Sequence, residues 1–233
     1  MKKFALPFMT AALLIVAACS HDQKKQGKEI TSSGYTMKVT NESVAAVTKD
    51  WPLASRAATN SMINKYGLPN IVSADQLIWY NTAPFKRTVV YKDELKHQFP
   101  YEHSDVLVQV VDYRVPRDKL DEISQLDGSL LVDRTKGELA ARSDKEEMNF
   151  LALNLADKVI RGDMSVEQAK STYEKSALAF STGTSNRYLT GLNFRVEGNT
   201  ADPGLGAKGQ PGSLEAQEEA HDAAKKVEEI QSN

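Results

Sequence analysis

Cysteine is almost absent from this 233-residue sequence: Cys19 is the only one, so no disulfide can form within the chain. Charge of one sign is also scarce. With 29 basic and 31 acidic residues the net charge is −2, and the chain lacks the electrostatic footprint that nucleic acid requires. Long apolar runs are missing as well. The one from Phe4 to Ala18 falls short of the roughly 20 residues that a membrane-crossing helix needs, and Pro7 would disturb a helix there. Sequence signatures of common active sites are absent too. There is no His-Glu-x-x-His, no Gly-x-Ser-x-Gly elbow and no glycine-rich phosphate loop ending in Lys-Ser/Thr.

What is present begins at the N-terminus. Lys2 and Lys3 form a charged n-region, Phe4 to Ala18 an apolar h-region, and the small residues of Val16-Ala17-Ala18 lead directly into Cys19. This is the layout of a secretory signal, except that a thiol stands where the mature chain would start. The stretch resembles the lipobox of bacterial lipoprotein precursors, with Val16 at a position where that family most often has Leu. The resemblance covers residues 1 to 20 and implies location, not activity.

It implies that Cys19 is alkylated with diacylglycerol, that residues 1–18 are removed, and that the new N-terminus is acylated. Each buried methylene contributes about 0.8 kcal/mol, so two or three acyl chains hold a protein on a membrane where one is marginal. Loss of Lys2 and Lys3 takes the net charge to −4, and lipidation leaves no free thiol for a metal site or a nucleophile. An Asp after the cysteine favours retention in the inner membrane in such lipoproteins. Ser20 therefore points to the outer membrane, with the protein anchored by lipid and facing the periplasm.

Residues 19–49 read as the lipidated N-terminus and a flexible tether, too polar to offset the entropy of ordering, with Tyr35 to Val39 as a candidate edge strand. A globular domain is expected over 50–196. Pro52 at a first turn, the stripe Ala54, Ala58, Met62 and Tyr66, and the Gly67/Pro69 stop predict its first helix. Gln76 to Asn81 and Phe85 to Tyr91 predict a hairpin, Val106 to Val115 a third strand, and Arg117 to Leu126 a short helix. Ser129 to Arg134 and Glu138 to Arg142 flank a turn at Gly137. Two helices follow, opened by boxes at Asp144-Glu147 and Ser165-Gln168, and Tyr188 to Phe194 reads as a returning strand. The glycines and prolines of 197–212 then form a linker, and 213–233 a charged, alanine-rich helical tail with a seam at Ala216, Ala220, Ala223, Val227 and Ile230.

The expected fold is α+β, an antiparallel sheet packed on one face by helices, with a disordered tether before it and a helical tail after it. His97, Glu102, His103 and Asp105 form the one cluster with ligand chemistry. Its leading reading is solvated loop residues. The alternative is a divalent metal held by His97, His103 and Asp105, with a carboxylate as general base on the metal's water. Asp112 and Arg114 read as strand charge pairs, and at least two of Trp51, Trp79 and Tyr80 as core. The functional expectation is a non-catalytic binding or scaffold module that meets another envelope protein or a cell-wall component. No cofactor and no catalytic residue is assigned; the rival is a metal-assisted periplasmic hydrolase using His97 and His103.

Overall fold

The computed structural model describes residues 39–204 and, beyond them, only Glu218, Ala220, His221, Asp222 and Lys225. Cys19, most of the candidate strand at 35–39 and most of the tail seam lie outside the described residues. Among the described residues, no helix is long and apolar enough to cross a membrane.

Folding starts earlier than composition suggests. Residues 41–48, expected to belong to the tether, form helix α1 (Asn41–Thr48), closed by a capping box between Thr40 and Ser43. Val44 and Thr48 are buried on its inner face, which supplies the apolar contact that the tether reading lacked. Helix α2 (Leu53–Tyr66) follows behind Pro52 and ends at Gly67, whose φ of 78° suits glycine.

Six strands form one antiparallel sheet in the order β1-β2-β3-β4-β6-β5. They are β1 (Ile71–Val72), β2 (Gln76–Thr82), β3 (Phe85–His97), β4 (His103–Asp112), β5 (Leu130–Asp133) and β6 (Glu138–Ser143). Helix α3 (Leu120–Leu126), preceded by a 3-10 turn, links β4 to β5, and α4 (Glu146–Ile160) and α5 (Val166–Ser181) follow β6.

Strand register sorts the side chains by face. Leu77, Val90 and Leu107 lie across from one another, as do Trp79, Thr88, Gln109 and Ala141 one pair further along, all on the face that the helices cover. There α1 and α2 pack with Leu77, Trp79, Val90 and Leu107, while α3, α4 and α5 pack with Phe85, Val111, Leu139 and Ala141. Twelve of the fifteen residues of α4 are buried, so it is the axis of the second group. On the opposite face Val89, Val108, Val110 and Ala140 form a small cluster drawn entirely from strands.

Three local expectations give way to tertiary contacts. Asp144 does not cap α4: Lys145 is the N-cap, without a side-chain bond, and the Ser143 hydroxyl at the end of β6 bonds the Lys145 backbone instead. Tyr188 to Phe194 is not a strand. Asn154, buried in α4, donates to the carbonyls of Tyr188 and Gly191 and accepts from the Asn193 N–H, supplying the partners that a neighbouring strand would. Nor is all of 197–204 free linker: Arg114 donates to the carbonyls of Asn199, Thr200 and Ala201, and Thr200 to that of Gly137. A Cβ at Gly137 would sit inside the Thr200–Ala201 peptide, so only glycine lets the chain cross here.

Candidate functional site

The segment 92–105 is not the expected loop. β3 continues through Lys92, Asp93 and Glu94 to His97, β4 begins at His103, and the two strands make a long hairpin arm with a register shift between Val90 and Leu95. The arm is tied down by Glu94, which accepts from the Ala54 N–H at the start of α2, and by the Ser55 hydroxyl, which donates to the Lys92 carbonyl. Glu94 thus serves the helix N-terminus that Pro52 cannot cap with a side chain.

This pairing builds the cluster. His97 and His103 are direct cross-strand partners, their ring centroids 5.0 Å apart, and Asp105 lies two residues along from His103 on the same face. Asp105 Oδ2 is 3.3 Å from His97 Nδ1, and Asp105 Oδ1 is 3.0 Å from His103 Nε2. The side chains of His103 and Asp105 are 9% and 6% exposed, values that remove them from the class of solvated loop residues. Glu102 stays outside, exposed, with its carboxylate 4.0 Å from Lys96. Ser104 donates to Glu94 and takes no part.

The outer ring nitrogens are also engaged. His103 Nδ1 lies 2.8 Å from the Tyr101 carbonyl, an acceptor, and so carries the proton. His97 Nε2 faces Asp127 Oδ1 at 3.5 Å. Asp127 is the C-cap of α3; its Oδ1 accepts from both the N–H and the hydroxyl of Ser129, which fixes the carboxylate. Its side chain is wholly buried. The sequence marks Asp127 only as half of an Asp-Gly turn, so its second role appears only once α3 stands beside the arm.

Three buried polar atoms in this cluster have no hydrogen-bond partner: His97 Nδ1, Asp105 Oδ1 and Asp127 Oδ2. Burial opposes a charged His103, but the Asp105 carboxylate, the Tyr101 carbonyl and the more distant Asp144 outweigh it and raise its pKa. Burial, together with the negative charge of Asp127, Asp105 and Asp144, pushes the neighbouring Tyr173 phenol far up, so it stays neutral. The arrangement concentrates negative charge beside two imidazoles in a poorly solvated place, a setting that favours a cation or a shared proton.

A second buried polar group sits where α2, α4 and the sheet meet. Glu146 accepts from the Lys65 ammonium, from the Tyr66 hydroxyl at 2.6 Å and from Gln109 at 2.7 Å. Gln109 also accepts from Asn149. Of the other candidates, Trp51 and Trp79 are core while Tyr80 is 44% exposed. Asp112 pairs with Lys86 at 2.8 Å, and Arg114 serves the carbonyls already described.

No known protein family, no characterised protein and no solved structure matches this chain.

Proposed function

We propose that this chain is a lipid-anchored protein of the cell envelope that acts by binding rather than by turnover, and that its binding site is the His97–His103–Asp105 cluster with Asp127 beside it. The observation that carries this reading is the convergence of these four side chains, with three buried polar atoms left unpartnered. An unpaired buried polar atom costs about 1–3 kcal/mol, so a fold that keeps three together gains by having a ligand there. The space beside His103 is lined by Pro100, Tyr101, Asp144, Met148 and Tyr173. The lipobox-like stretch ending at Cys19 supports a position at the outer membrane, where an acyl anchor would raise the domain's effective concentration near an envelope partner.

The test is fatty-acid labelling and fractionation of the wild type and Cys19→Ser, followed by in-cell crosslinking of wild type, His103→Gln and Asp105→Asn. Loss of label and of membrane association in Cys19→Ser, and loss of a specific envelope crosslink in the cluster variants, is the expected result. Retention of Cys19→Ser in the membrane removes the anchor, and crosslinks indifferent to the cluster remove the site.

A second reading keeps the same residues and makes them a metal-assisted hydrolase, favoured by the three-sided donor set, which leaves coordination positions free for water. Turnover of ester or amide substrates by metal-loaded protein, lost in Asp105→Asn, would replace binding as the function.

A further inference from the structure

We infer that the cluster holds one divalent transition-metal ion through His97 Nδ1, His103 Nε2 and Asp105. This deepens the reading above, on which it rests for the choice of site, and names the ligand's chemical class. Ligand atoms from the three residues lie within 4.8 Å of one another. A tetrahedral ion with metal–nitrogen bonds of about 2.05 Å spaces its ligands about 3.3 Å apart. The separations across Asp105, 3.3 Å from Oδ2 to His97 Nδ1 and 3.0 Å from Oδ1 to His103 Nε2, are close to that spacing, with one carboxylate oxygen toward each imidazole.

The ring orientations suit an ion. The Tyr101 carbonyl holds His103 Nδ1, and Nε2 is the nitrogen that faces Asp105 Oδ1. Asp127 Oδ1 lies 3.5 Å from His97 Nε2, and Nδ1 faces Asp105 Oδ2. His97 Nδ1 and Asp105 Oδ1, both aimed into the cluster, are left without a hydrogen-bond partner, and a cation between the imidazoles and the carboxylate would satisfy them. A backbone carbonyl and a carboxylate on the outer nitrogens are the usual outer partners of metal-bound histidines, since they fix ring orientation and raise ligand basicity.

The donor set of two nitrogens and one carboxylate selects among metals. It suits zinc and its first-row neighbours, and offers too few oxygens for calcium or magnesium. Asp127 is a positioning residue in this arrangement: it touches the metal only through His97. Because His97 and His103 come from the arm and Asp127 from the end of α3, the ion would also clamp the arm to the helical layer.

The experiment uses the full lipidated chain in detergent, stripped of metal and titrated with Zn²⁺ in competition with a chromophoric chelator. Parallel Co²⁺ titrations read the visible bands of a four-coordinate ion. The expected result is one ion per chain, no response to Ca²⁺ or Mg²⁺, and at least a tenfold loss of affinity in Asp105→Asn and in His103→Gln. Asp127→Asn should lose about 10–100-fold with the stoichiometry unchanged. The double variant His21→Gln/His221→Gln removes the other two histidines and should bind like wild type. Circular dichroism on each variant separates lost binding from lost fold. Absence of Zn²⁺ binding by folded wild type, or binding indifferent to Asp105 and His103, overturns the inference. Envelope crosslinks that depend on the cluster while no metal binds would leave the binding reading standing without the metal. Metal bound with no effect on the crosslinks would do the reverse.

Discussion

Glu146 and Asp105 are both buried carboxylates on the helix-covered side of one sheet, and they differ in how they are satisfied. Around Glu146 a cation, a phenol and an amide all donate inward, so the group is complete within the protein. Around Asp105 the neighbours are two imidazole nitrogens, its Oδ1 has no hydrogen-bond partner, and Asp127 nearby also keeps an oxygen unpaired. A closed network rigidifies a fold, whereas an incomplete one facing inward marks a place for a further atom. The burial of a charge therefore says less about function than the inventory of its partners.

The sharpest way to break this comparison is to remove the satisfied carboxylate. Glu146→Leu leaves the Tyr66 hydroxyl and the Gln109 amide without their acceptor, and should cost about 3 kcal/mol of unfolding free energy in urea titrations. A loss below about 1 kcal/mol would mean that the network is replaceable by apolar packing. Next in size is the response to metal. Zn²⁺ at about 100 times its dissociation constant should stabilise the wild type by about 2.7 kcal/mol, and Asp105→Asn by far less, measured as the shift in thermal midpoint. Metal-free Asp105→Asn should lose about 1 kcal/mol relative to metal-free wild type, through loss of the carboxylate that favours a charged His103. Equal destabilisation by Glu146→Leu and Asp105→Asn would erase the distinction.

The smallest effect concerns a third carboxylate. Glu138, on the opposite face of the sheet, bonds Arg87 at 2.8 Å and lies 3.1 Å from Lys86. Burial works to raise its pKa, but the two cations prevail and hold it below the ordinary 4.5. A lowered folded pKa contributes stability that is present above about pH 4.5 and is lost as pH falls through the folded value. Glu138→Gln should therefore flatten the acid limb of the stability profile and leave stability below that range nearly unchanged. A curve parallel to wild type at every pH would deny Glu138 that part.

Much of the scaffold could be read residue by residue, because the devices involved are local. Pro52 and Gly67 bracket α2, Ser165 and Gln168 open α5 with a capping box, and Gly137 turns β5 into β6. The arm was hidden for the opposite reason. Lys92, Asp93, Glu94 and Lys96 are poor strand formers by type; the first three fall in the register shift between Val90 and Leu95, beyond which Leu95, Lys96 and His97 pair with Asp105, Ser104 and His103. Nothing local signalled the approach of Asp127 to His97 or the bonds of Asn154 to Tyr188, Gly191 and Asn193, because those partners lie 30 residues and more away.

The sequence by itself determined the class of fold, the bounds of most helices, the turns of the hairpins, and which residues had ligand chemistry at all. It also carries the whole case for the lipid anchor, in the run that ends at Cys19. Tertiary structure decided which of the cluster's candidates meet: it kept His97, His103 and Asp105, set Glu102 in solvent, and added Asp127. Helix caps and turns depend on atoms a few residues apart, so local composition specifies them. A site closed by cross-strand pairing and by the end of a distant helix depends on which surfaces bury one another, and that is settled only when the core packs.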